Sequence, residues 1–278
     1  MKNFFKKNVL IRLFILVFPV TFFVGCESGS GPMDINLFTA SDDVQLGKQL
    51  DSSITANPAE YPILNSTSHT QYVQGIVDEI LKSPEIEYKG TFSYKIKIIN
   101  TNTINAFAAP GGYLYVYKGL LKFVDNEATL AGILAHEIAH AERRHSTKRM
   151  TKQYGITLLL SVILGNDPSV LEQIGANLLS GLALLKNSRD DEYEADEYSF
   201  LYLKSSKWYP GAIKYFFEKI SEQNQSEPSK FEELLSTHPL DSKRTEKIDE
   251  YLNLFNIPAP TEANLFTTTY QQWRTTLP

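Results

Sequence analysis

Hydrophobic and polar positions along this chain fall into blocks of different period. Residues 69–82 carry Tyr72, Val73, Ile76, Val77, Ile80 and Leu81, an apolar stripe at helical spacing. An earlier helical pattern starts at Asp42 and runs through Val44, Leu46 and Leu50. Tyr94 to Ile99 alternates and is β-branched, which predicts a strand. Two short extended runs, Ala106 to Pro110 and Tyr113 to Tyr117, flank Gly111-Gly112 and predict a hairpin. A helix then opens with Asp125 as N-cap and Glu127 in its first turn. It continues through Leu130, Ile133, Leu134 and Ile138 to about Met150. Residues 156–164 are almost wholly apolar but too few to span a bilayer, and 170–186 form another apolar-rich helix. Core packing is the simpler reading of this pair, contact with a membrane surface the other. A charged helix follows from about Arg189 to Lys204, and Pro210-Gly211 separates it from a helix with Ile213, Phe216, Phe217 and Ile220. Two short helices and a tail complete residues 231–278. The pattern predicts a mainly helical α+β domain over residues 41–278, with a small antiparallel sheet.

The N-terminus reads differently. Lys2, Lys6, Lys7 and Arg12 precede the uncharged run Leu13 to Val24, the layout of an export signal over residues 1–25. As a helix that run rises only about 18 Å, short of a hydrocarbon core of about 30 Å. Cys26 is the single cysteine, so no internal disulfide forms. Its place after Gly25 resembles a bacterial lipoprotein signal, in which the thiol takes a diacylglycerol. The expectation is a lipidated Cys26, a flexible tether over residues 26–40, and a domain held to a membrane outside the cytoplasm. In a Gram-negative cell, Glu27 favours the outer membrane. The net charge of −5 brings no basic excess, so no nucleic-acid partner is expected.

The strongest chemical signal is His136-Glu137-Ile138-Ala139-His140. Histidines four apart share one helix face, so two imidazoles reach a single Zn²⁺. Glu137 lies beside the open coordination position, where a general base is needed. A catalytic zinc takes a third protein ligand. A third histidine six residues after the second would fall on Ser146, and His145 is one residue short. His145 therefore reads as an exposed or structural histidine. Glu192 and Asp196 offer another solution, four apart on one face of the charged helix. Alone they read as a solvated acidic face. Beside the zinc motif, Glu192 reads as a ligand and Asp196 as the acceptor for a ligand histidine's second ring N–H.

With the second motif, Glu192-Tyr193-Glu194-Ala195-Asp196, about fifty residues after the first, the chain resembles the HtpX-like zinc metallopeptidases. These gluzincins include CAAX prenyl endopeptidases, mitochondrial Oma-type proteases and bacterial periplasmic quality-control proteases. The resemblance covers roughly residues 40 to 250, and is nearest to compact lipoprotein members. It implies a helical fold with a small sheet at the cleft, one zinc on His136, His140 and Glu192, and Asp196 behind a ligand. Asn105-Ala106-Phe107 with Gly111-Gly112 looks like the family's substrate-binding strand. His238-Pro239 with Arg244 resembles its late His-Pro element. There the histidine can take the zinc's fourth position or face the developing oxyanion, and Arg244 could stabilise transition-state charge. The implied activity is endopeptidase cleavage of unfolded or misassembled envelope proteins, with Glu137 activating water. The alternative is an envelope chaperone or assembly factor with latent protease activity, its site closed by His238.

Overall fold

The structure, a computed structural model, describes residues 35–163 and 186–278, with the side chains of 156–163 left aside. The export signal, Cys26, the tether up to residue 34 and the apolar segment 164–185 lie outside the described residues.

Three strands form the sheet: β1 (Ile96–Ile99), β2 (Ala106–Ala109) and β3 (Tyr113–Tyr117), in the order β1-β3-β2. β2 and β3 make the expected hairpin, antiparallel, with Phe107 opposite Tyr115. The sheet as a whole is mixed rather than antiparallel, because β1 pairs parallel with β3, Ile96 opposite Leu114. The cause lies in β3, which is apolar on both faces. Leu114 and Val116 enter the main core with Ile96 and Ile98, while Tyr115 and Tyr117 enter a second core with Leu46 and Leu50. A strand buried on both faces takes the centre. The alanine-rich β2 is left at the edge. The hairpin turns through a 3-10 segment, Pro110–Gly112, pressed on α1 (Ala40–Ala56). Gly111 has φ 71°, and a Cβ there would sit 2.8 Å from the Val44 Cα, so only glycine fits.

α2 (Thr67–Ile80) buries Val73, Ile76, Val77 and Ile80, the stripe read from the sequence. A short α3 (Lys118–Phe123) leads to α4 (Glu127–Glu142), which is buried along its whole length. Asn126, not Asp125, caps α4, accepting the Thr129 N–H at 2.8 Å; Asp125 instead meets Lys219 at 2.7 Å. A helix buried on every side must have its polar groups satisfied from outside. Glu127 accepts from Trp208 Nε1 (2.8 Å), Lys207 Nζ (2.9 Å) and the Tyr72 hydroxyl. Glu142 accepts the backbone N–H groups of Glu87 (2.7 Å) and Tyr88 (3.2 Å), and the Tyr94 hydroxyl. The site helix is thus pinned at both ends.

α4 stops at Glu142 rather than near Met150. Arg144 takes φ 57°, and its guanidinium reaches Asp43 Oδ2 and the Phe38 carbonyl, each at 2.6 Å. These bonds to Asp43 of α1 and to Phe38 hold a left-handed residue whose conformation costs about 1–2 kcal/mol. α5 (His145–Ile163) begins directly after the break. α6 (Arg189–Lys204) opens with a capping box between Ser188 and Asp191, and packs on α4. Its buried residues include Glu192, Ala195, Asp196, Ser199 and Leu203, which follow one face at spacings of three and four, with Phe200 and Tyr202 buried beside them. Gly132 lets α7 (Ile213–Asn224) close on α4 from another side, since a Cβ there would lie 3.0 Å from the Ile213 Cβ. α8 (Glu232–Thr237), α9 (Ser242–Leu254), α10 (Glu262–Leu265) and α11 (Thr267–Arg274) complete the described elements. Among the described residues no helix is long and apolar enough to cross a membrane.

Candidate metal centre

His136, Glu137 and His140 sit in the last two turns of α4, all buried. One turn inside α6, Glu192 reaches between the two imidazoles. His136 Nε2 and His140 Nε2 are 3.0 Å apart, and Glu192 lies 3.5 Å from the first and 3.2 Å from the second. His238, the residue that ends α8, brings Nδ1 to 3.1 Å from Glu192 Oε1. One donor atom from each of these four residues falls within 4.8 Å of the others.

The donor set fits a metal ion. Asp196 Oδ1 lies 2.9 Å from His136 Nδ1, and a carboxylate only accepts, so this pairing favours the ring proton on Nδ1 over Nε2. The His136 Nε2 lone pair then points inward, at the carboxylate oxygens of Glu192 and at His140. Electron-pair donors crowded at these separations repel one another unless a cation lies between them. Tetrahedral ligands at about 2.0–2.1 Å from a metal stand roughly 3.3 Å apart, close to the spacings here.

The electrostatics agree. Burial lowers the His136 pKa, but the carboxylates of Asp196 and Glu192 outweigh it and raise it to about 9. Burial and the neighbouring charge of His136 hold His140 well below its ordinary value. The imidazole pair therefore gathers one positive charge, which a metal ion can supply in place of a proton. Burial pushes Glu192 up, yet Arg244 and the histidines hold it well below the usual carboxylate range, as a ligand requires. Burial raises the Glu137 carboxyl, against His238 and His136, which strengthens it as a base.

Arg244 lies behind the carboxylates, not in the open. It binds Asp196 through Nε and Nη2, both at 2.7 Å, and Glu192 through Nη1 at 2.6 Å. Its face stacks on Phe217 at 4.2 Å, and Nη1 also donates to the Pro239 carbonyl at 3.3 Å, tying down the residue after His238.

Two cavities meet at Glu137. A small apolar one of about 30 Å³ is lined by Ala106, Ile133, Phe216, Phe217 and Leu234, with His136 and His238 at its edge. A polar one of about 410 Å³ is lined by Asn105, Phe107, Tyr117, Arg149 and Glu233, with His140 at its floor. The edge strand β2 borders both. Asn105 donates to Glu233 Oε1 at 2.9 Å, linking the strand to α8. Gly111 and Gly112 line neither of these two cavities; Gly111 packs on Val44 and Asp43 of α1, and Gly112 on Phe92 and Tyr94.

Two groups escaped the sequence reading. Asn187 donates to Glu192 Oε1 at 2.6 Å and lies 3.2 Å from both His140 Nε2 and His238 Nδ1. It precedes the N-cap of α6, a position with no periodic signal. His145 takes the structural of its two expected places: it is buried, with Nδ1 2.7 Å from His140 Nδ1, and that contact is what the sequence did not show.

Residues 67–252 match the family described as Peptidase family M48. The chain belongs to this family. A beta-barrel assembly-enhancing protease of Yersinia pestis is 30% identical over 195 residues, covering 67% of this chain and 39% of that protein. Its counterpart in Escherichia coli K12 is 31% identical over 194 residues, covering 66% and 39%. The mitochondrial metalloendopeptidase OMA1 of Schizosaccharomyces pombe is 29% identical over 183 residues, covering 66% and 53%. The chain thus spans between about two fifths and about half the length of these relatives. Within the matched span lies the buried cluster of His136, His140, Glu192 and His238 that could hold a metal ion.

Proposed function

We propose that this M48 protein is a zinc-dependent endopeptidase that cleaves misfolded or misassembled cell-envelope proteins. The observation that carries the chemistry is the convergence of His136, His140 and Glu192, with Glu137 beside them at the edge of β2. Two imidazoles and one carboxylate favour zinc over harder ions. A zinc ion held there supplies Lewis acidity toward a peptide carbonyl and toward water. Glu137 takes the proton of the attacking water and passes it to the leaving amine. Asp196 holds His136 in its ligating tautomer, and Arg244 holds Asp196 and Glu192 in place. Asn105, Ala106 and Phe107 offer an extended segment an edge strand to pair with.

The envelope reading draws on the export signal, on Cys26 as a lipid anchor and on relatives named beta-barrel assembly-enhancing proteases. Such an anchor places the domain on a membrane, on the periplasmic face of the outer membrane in a Gram-negative cell.

Metal analysis and casein cleavage, on wild type and Glu137→Gln, test the mechanism. The expected result is metal retained and cleavage reduced about 10²–10⁴-fold. Undiminished cleavage overturns it. One observation favours the second reading, an assembly factor with latent proteolysis. His238 stands within the donor cluster, and its Nε2 lies 3.7 Å from Glu137. Faster casein cleavage by His238→Ala supports latency; slower cleavage supports a direct role for His238 toward the oxyanion.

A further inference from the structure

The two ligand histidines are supported from behind by different groups, one directly from α6 and one through α5 to α6. Asp196 stands behind His136. Behind His140 stands His145, and behind His145 stands Glu194, with His145 Nε2 3.0 Å from Glu194 Oε2. Arg143 Nε donates to the other Glu194 oxygen at 2.7 Å and lies 4.5 Å over the Tyr198 ring. Glu192, Glu194 and Asp196 therefore serve the centre from consecutive even positions of α6: one as ligand, two as outer carboxylates.

The order of protons along this chain follows from the acceptors. Glu194 is an ionised acceptor, so the proton of a neutral His145 sits on Nε2. His145 Nδ1 is then a bare lone pair, 2.7 Å from His140 Nδ1, and His140 must carry its proton there. The His140 Nε2 lone pair is left facing Glu192 and His136, as a metal ligand needs. In an unbroken helix His145 would stand about 140° round from His140. The left-handed Arg144 folds it back, and Asp43 secures the fold.

We propose that His145 and Glu194 are positioning residues that fix the tautomer and orientation of His140, and so set how tightly the centre holds its metal. The proposal rests on the reading of His136, His140 and Glu192 as metal ligands. Loss of an outer partner of this kind weakens metal binding about 10–100-fold.

Zinc affinity, measured by competition with a chromophoric chelator, tests it alongside thermal melting of the metal-free protein. His145→Leu keeps bulk without an acceptor, and is expected to bind zinc about 10–100-fold more weakly. His145→Asn presents an amide oxygen near the place of Nδ1, and is expected to recover most of that loss. Glu194→Gln, the milder change should His145→Leu fail to fold, is expected to weaken binding severalfold. His140→Ala is the control for the underlying reading, since zinc affinity unchanged in that variant removes the metal centre itself. If His140→Ala loses zinc while folded His145→Leu and Glu194→Gln bind like wild type, the positioning role is overturned. The pair then only staples α5 to α6.

Discussion

Every residue of α4 is buried, whereas of the six residues of α8 only Leu234 is. These two helices form opposite sides of one site. The α4–α6 side is braced at many points: Glu127 and Glu142 pin the ends, and Asp196, Arg244 and Asn187 stand against the donors. The α8 side rests on fewer ties. Glu233 accepts from Asn105 at 2.9 Å, the Thr237 carbonyl accepts from the Asn187 backbone N–H at 3.1 Å, and His238 leans on Glu192 at 3.1 Å. A metal centre needs fixed ligands, because a small misplacement costs affinity and rate. On the proposed reading, a peptide pairing with β2 would pass against α8, so that side would have to yield. The difference in bracing matches that division of labour.

The comparison can be broken on the α4–α6 side first. Arg244→Leu leaves the Asp196 and Glu192 carboxylates buried without their cation. The expected loss is about 3–5 kcal/mol. In a domain of this size that lowers the melting temperature of the metal-free protein by about 10 °C. A melt within 2 °C of wild type would show that the carboxylates are not held as described.

Gly132→Val comes next. Its methyl groups would enter the space of Ile213, and overpacking costs about 1–3 kcal/mol. Denaturant titration should give a lower midpoint with the same slope, since the fold is unchanged and only the α4–α7 contact is strained.

The α8 side should respond least in stability. Glu233→Ala removes one part-buried hydrogen bond, worth about 1 kcal/mol. Freeing α8 by that amount raises the open population at most about fivefold. Casein cleavage at low substrate should rise within that limit, with zinc affinity unchanged. A drop in zinc affinity as large as that of His140→Ala would erase the distinction between the two sides.

The hydrophobic pattern by itself determined the α2 stripe, the β2–β3 hairpin and the paired histidines of α4, because each depends on spacing within one element. Residues four apart on a helix share a face whatever surrounds them. The carboxylates of α6 were legible in the same way, as Glu192 and Asp196 four apart, though only their meeting with α4 separates a ligand from a solvated acid. The tertiary structure alone decided the rest. β3 took the centre of the sheet because both its faces had cores to enter, and that made β1 its parallel neighbour. Gly111 closed against α1, a contact no local pattern announces. Arg244 reached the site from about fifty residues beyond Asp196, and its donors turned to carboxylates. His145 looked misplaced by one residue for as long as α4 was read as continuous. A single left-handed residue, secured by an ion pair to α1, brought it behind His140, and no periodicity along the chain records such a turn.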